Sequence, residues 1–85
     1  MTPTRLNQIR SAIVEVLDQT EGWLYPETTL FKNINLAMVR PEATLAEFEE
    51  VIGKMEVNRH LIRFRTKDEG IKSKLSDEGK AELLK

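Results

Sequence analysis

Apolar residues recur along this chain first with the period of a helix and later with that of a strand, and the change between them marks out its elements. Leu6, Ile9, Ala12, Ile13, Val16 and Leu17 share one side of a helix, with Val14 off the stripe. Thr2 before Pro3, or Thr4 one turn later, is placed to cap this helix, and Gly22 to end it, so it is expected over about residues 4–20. Trp23, Leu24 and Tyr25 precede Pro26 and read as a short extended segment that returns to the core and buries Trp23 there. Thr28 or Thr29 can cap a second helix, about residues 29–39, in which Leu30, Phe31, Ile34, Ala37 and Met38 share a face before Arg40-Pro41 stops it. Leu36 and Val39 fall outside that stripe, as incidental surface or as a self-association patch.

Thr44-Leu45-Ala46-Glu47 matches a capping box, in which two side chains satisfy each other's orphan amides, and places a third helix at residues 45–57. Its expected buried stripe is Leu45, Phe48, Ile52 and Met55 with Val51 beside them; Ala46, Glu47, Glu50, Gly53, Lys54 and Val57 face outward. After Asn58 the period becomes two. Ile62 and Phe64 are expected to face inward and Leu61, Arg63, Arg65 and Lys67 outward; Asp68-Glu69-Gly70 turns the chain, and Ile71, Ser73 and Leu75 alternate with outward Lys72 and Lys74. A hairpin over residues 60–75 with one basic face follows. Ser76 then caps a last helix, residues 77–84, with Asp77 and Glu78 at its positive end and Ala81 and Leu84 facing inward. The pattern is that of an α+β, mainly α, fold.

Eighty-five residues, 40% of them apolar and 32% charged, suit one folded domain, residues 1–85. Without cysteine there is neither a disulfide scaffold nor a thiolate metal site, and a single histidine cannot supply a metal cluster. The polar N-terminus does not resemble a signal peptide and no apolar run is long enough for a bilayer, so a cytoplasmic protein without membrane contact is expected. The net charge of −1 conceals an uneven distribution: residues 44–57 hold four acids and one cation, whereas residues 58–75 hold six cations and two acids.

Helix, helix, turn, helix, hairpin, helix is the order of a winged helix-turn-helix domain. Leu75-Ser76-Asp77-Glu78-Gly79 resembles the Leu-Thr-x-x-Gly that follows the wing in many bacterial winged-helix regulators, and Leu61-Ile62 matches the hydrophobic pair that opens the wing. The resemblance implies a three-helix core with a hairpin wing and a C-terminal helix, residues 45–57 being the recognition helix and Arg63 to Lys74 the wing. It implies a DNA-binding module, a transcriptional regulator among the possibilities.

Duplex binding draws its strength from phosphates neutralised by Lys and Arg, and here the outward face of the third helix sets Glu47 and Glu50 against Lys54 alone. Binding led by the wing is therefore expected, with Arg63, Arg65, Lys67, Lys72 and Lys74 on phosphates, Lys54 and Thr44 approaching the groove, and little sequence specificity. Lysines on an edge hairpin also deter sheet aggregation. The alternative is a protein-contact or homodimerisation module that binds no DNA, using the acidic helix face at Glu50 or the off-stripe residues Val14, Leu36 and Val39. No nucleophile and base, phosphate-binding glycine loop or metal spacing is present, so neither catalysis, cofactor nor small-molecule ligand is expected.

Overall fold

The computed structural model describes residues 2–20 and 22–84; Met1, Glu21 and Lys85, which the expected domain 1–85 includes, lie outside the described residues. Helix α1 (Pro3–Gln19) is capped by Thr2, whose Oγ1 accepts the Arg5 amide at 3.1 Å, with Pro3 at a position that needs no amide hydrogen. At Gly22 the backbone takes φ +89°, open to a residue without a Cβ, and the chain reverses into the two-residue strand β1 (Tyr25–Pro26).

Helix α2 (Glu27–Ala37) begins and ends two residues earlier than expected, because extended Pro26 is its N-cap and Thr28 and Thr29 already lie in its first turn. At its end the amides of Met38 and Val39 both donate to the Ile34 carbonyl, at 3.2 and 3.0 Å. That widened, π-type last turn takes Val39 off the helical path and into the core, fully buried, rather than onto the surface. The link onward includes a cis Arg40–Pro41 bond and reaches α3 (Leu45–Val57). Thr44 Oγ1 accepts the Glu47 amide at 3.1 Å and Glu47 Oε1 accepts the Thr44 amide at 3.0 Å, the reciprocal pair of a capping box.

α3 closes with Arg59 in the left-handed region, φ +62°; its amide donates to the Glu56 carbonyl at 3.0 Å and that of His60 to the Met55 carbonyl at 2.8 Å, a Schellman arrangement without glycine. Strands β2 (Leu61–Thr66) and β3 (Gly70–Leu75) then form an antiparallel hairpin, and β1 joins the other edge of β3. Gly70 turns the hairpin at φ +75°, while Thr66 Oγ1 donates to the Gly70 carbonyl at 2.8 Å and accepts the Glu69 amide at 3.1 Å. The last helix is α4 (Asp77–Leu83). The described residues form a mainly α, α+β fold of four helices and a three-stranded antiparallel sheet. Among the described residues no helix is long and apolar enough to cross a membrane.

One core joins α1, α2, α3 and the sheet, centred on Ile13, Leu30, Ile34, Phe48 and Ile52. Phe31 tilts against Phe48 with ring centroids 5.2 Å apart. Several expected faces differ from those observed. Val14 is buried, beside Leu83 and Leu84 from the C-terminal segment, which a helical wheel of α1 alone cannot register. Leu45 is exposed, because the buried arc of α3 centres on Phe48, Val51, Ile52 and Met55 and its first residue lies to one side. In α4 it is Leu83 that packs on the core, while Ala81 and Leu84 are exposed. Ala37 is exposed too, at the end of the shortened α2. Trp23, expected in the core, is 77% exposed: the chain turns at Gly22, strand pairing starts only at Tyr25, and Tyr25 packs against the core in its place.

α4 is fastened to the corner between α3 and β2. Ser76 Oγ accepts the Gly79 amide at 2.9 Å and donates to the Arg59 carbonyl at 2.5 Å, and the Ser76 amide donates to the His60 carbonyl at 3.1 Å. A Cβ on Gly79 would fall on that His60 carbonyl oxygen, whereas one on Gly53 in α3 meets open space. Gly79→Ala should therefore lower stability by about 1–3 kcal/mol through overpacking against backbone. Gly53→Ala should raise it by about 1 kcal/mol through helix propensity. Urea unfolding of the two variants checks the opposite signs.

Candidate interaction surfaces

The register of the hairpin decides which side chains share a surface. Leu61 pairs with Leu75, Arg63 with Ser73 and Arg65 with Ile71; between them Ile62 pairs with Lys74 and Phe64 with Lys72. Directly paired residues project to the same side of a sheet. Leu61, Leu75 and Ser73 are buried, so Arg63 and Arg65 lie on the inner side with them, and Ile62 and Phe64 lie on the outer side with Lys72 and Lys74. The expected single basic face of Arg63, Arg65, Lys67, Lys72 and Lys74 is thus divided, and the inward pair of the first strand is not Ile62 and Phe64. Because the neighbouring strand buries Ser73 and Leu75, β2 must turn Arg63 and Leu61 the same way.

Arg63 is accommodated there by acids from two helices. Its Nε and Nη2 donate to the Glu27 carboxylate at 2.7 and 2.8 Å, a two-point pair with both side chains largely buried, and Nη1 reaches Glu56 at 3.5 Å. Ser73, fully buried, donates its hydroxyl to the same Glu27 carboxylate at 2.5 Å. The Glu27 carboxylate beside it raises the Arg63 pKa above its ordinary value. Arg65 lies farther out, more than half exposed, and donates to Glu56 at 3.2 and 3.4 Å; the guanidinium of Arg65 chiefly holds the Glu56 carboxyl below its ordinary pKa.

The remaining expected site residues are dispersed. Lys67 sits in the exposed hairpin turn. Lys72 pairs with Glu69 at 2.6 Å, and this bond chiefly lowers the pKa of Glu69. Lys74 is half-buried on the outer sheet face, and Lys54 lies 4.0 Å from Glu50, one helical turn away on α3. Thr44 spends its hydroxyl on the cap of α3. Of the expected protein-contact residues Glu50 and Leu36 are exposed, whereas Val14 and Val39 are buried and unavailable.

Three further groups hold the α2–α3 connection, which sets where α3 points. The Arg5 guanidinium donates to Glu47 at 3.1 and 3.2 Å and to the Pro41 and Glu42 carbonyls at 2.6 and 3.0 Å. Asn35 imitates a backbone pair, accepting the Ala43 amide at 2.9 Å and donating to its carbonyl at 3.0 Å. Arg40 donates back to the Asn35 and Leu36 carbonyls at 2.7 and 2.6 Å. Glu27, Arg5 and Asn35 were not singled out from sequence; their partners lie 46, 42 and 8 residues away, and only Asn35, just before a helix end, carried a local hint.

What α3 exposes is apolar and acidic. Leu45, Ala46, Glu49, Glu50, Lys54 and Val57 are open to solvent, with half-buried Gly53 among them and Val57 81% exposed. Among the described residues no group of three or more His, Asp or Glu side chains could hold a metal ion. No protein-family model matches the chain, and no similar curated protein or solved structure was found.

Two measurements check these contacts. Arg63→Ala leaves the buried Glu27 charge without its partner and should cost about 3 kcal/mol in urea unfolding; Arg65→Ala, at the exposed edge, should cost no more than about 1 kcal/mol. The Glu47 carboxyl is held at about 2, from an ordinary 4.5, chiefly by its hydrogen bond with Arg5. A depressed folded-state pKa contributes stability that is complete above the unfolded value and disappears as pH falls through the folded one. Glu47→Gln keeps a capping acceptor but loses the charge. Its deficit in thermal midpoint should be full above pH 4.5 and vanish as pH approaches about 2.

Proposed function

We propose that this chain is a non-catalytic winged-helix module that works through protein contact rather than by reading duplex DNA. The winged-helix reading is supported by the order of α1, α2, α3, hairpin and α4, by the close α2–α3 connection, and by a third helix that presents a face to solvent next to a β-hairpin. It is supported further by the role of Gly79 in the Leu75-Ser76-Asp77-Glu78-Gly79 string, where the turn into α4 packs against the His60 carbonyl.

The observation that carries the protein-contact reading is where the arginines of the hairpin go. Arg63 is buried against Glu27 of the same chain, which removes it from contact with phosphate oxygens, and the exposed Arg65 already pairs with Glu56. The exposed ridge of α3 carries Glu49 and Glu50 between the apolar Leu45 and Val57. A helix entering a groove walled by phosphates would bring those carboxylates against like charge. The competing duplex-binding reading draws on Lys67 and Lys74, cations with no ion-pair partner among the described residues.

Fluorescence anisotropy of a labelled duplex titrated with the protein at low salt separates the readings. Under the proposal no saturable binding develops. Salt-sensitive binding that is weakened by Lys67→Ala and Lys74→Ala would overturn it and restore DNA recognition led by the wing.

A further inference from the structure

Two exposed surfaces of this small chain are both apolar and carry opposite charge. On the outer sheet face Ile62 and Phe64 lie open beside their cross-strand partners Lys74 and Lys72. This face continues past Pro26, paired with Lys72, to Trp23 and Leu24, which line a shallow groove with Lys72. On α3 the exposed ridge runs from Leu45 through Glu49, Glu50 and Gly53 to Val57, with Lys54 beside Glu50 at 4.0 Å. Glu49 on the ridge and Lys74 on the sheet have no ion-pair partner among the described residues.

We infer that these surfaces are complementary, and that the partner of this module is a second copy of the chain, the α3 ridge of one copy lying on the outer sheet face of the other. The inference rests on the protein-contact reading above. Charge decides between the possible pairings. Sheet against sheet sets Lys74 against lysines, and ridge against ridge brings Glu49, which no cation of its own chain meets among the described residues, towards glutamates. Ridge on sheet sets Glu49 against Lys74, with Leu45 and Val57 at the ends of the ridge reaching the apolar side chains of the sheet. The lengths also agree, since thirteen helical residues and a strand of six residues each span about 20 Å. Trp23 and Phe64 belong to the residue class that anchors interfaces when covered, and the ridge brings Leu45 and Val57 to them. At Gly53, where even a Cβ would meet no neighbour, nothing projects from the ridge to hold the two surfaces apart.

Sedimentation velocity across micromolar to near-millimolar concentrations tests this, with circular dichroism to verify folding of each variant. The wild-type chain should associate, less so as salt is added, and the emission of Trp23, the single tryptophan, should move to the blue as its exposed ring is covered. The double variants Glu49→Lys with Glu50→Lys, and Lys72→Glu with Lys74→Glu, should each raise the dissociation constant at least about tenfold, a loss of about 1.4 kcal/mol. Mixing the two variants should restore association, because the unchanged acidic ridge of one then meets the unchanged basic sheet of the other. Phe64→Ser, which alters no charge, should weaken association as well.

A wild-type chain that stays monomeric throughout overturns the inference, as does association that survives both charge reversals or fails to return on mixing. Duplex titration of the same samples keeps the two proposals apart. A monomer without DNA binding removes only self-docking, whereas a monomer that binds duplex removes the protein-contact reading too.

Discussion

The two-point pair between Arg63 and Glu27 is the contact on which the surface chemistry of this protein depends. It joins the central part of the hairpin to the first turn of α2 across 36 residues, and the buried hydroxyl of Ser73 completes the carboxylate's partners. A charge in such a place is tolerable only when its partner is held in good geometry and remaining polar atoms are satisfied. No buried side-chain polar atom among the described residues lacks a hydrogen bond. The register with β3 turns Leu61 and Arg63 inward and leaves Ile62 and Phe64 outside, and the ion pair is what makes the inward arginine tolerable. One arginine is thereby removed from the basic surface.

The position of α3 depends on a second polar assembly, around the α2–α3 connection. Its capping box determines where the helix starts but not its direction. Direction comes from Arg5, which ties the Glu47 of the cap and two carbonyls of the connection to α1, and from Asn35, which pairs with the Ala43 backbone. Phe48, Val51, Ile52 and Met55 then fill the core, and the opposite arc carrying Glu49 and Glu50 faces water. The acidic ridge and the lysine-bearing sheet face are consequences of these two assemblies acting on different elements. Glu49 on the one surface and Lys74 on the other are left without an ion-pair partner among the described residues. Both carry exposed apolar side chains, so contact with an oppositely charged partner removes apolar area from water while keeping charges paired.

What the sequence by itself determined lies within a few residues of its cause. The capping box of Thr44 and Glu47, the Ser76 cap, the turn at Gly70, the inward alternation of Ser73 and Leu75 and the exposure of Glu50 all follow from local hydrogen bonding or from period. The tertiary structure alone decided the side to which Arg63 and Arg65 turn, the burial of Val14 and Val39, and the exposure of Trp23 and Leu45. Periodicity assigned Arg63 to the surface because it registers how polar a residue is, whereas burial was set by a carboxylate 36 residues earlier that can neutralise it. Val14 shares a groove with Leu83 and Leu84 from the far end of the chain, and Val39, outside the helical stripe, reached the core because the helix stopped two residues sooner than expected. Local rules describe each element in isolation; which face becomes a surface is decided by the partner that packs against the other.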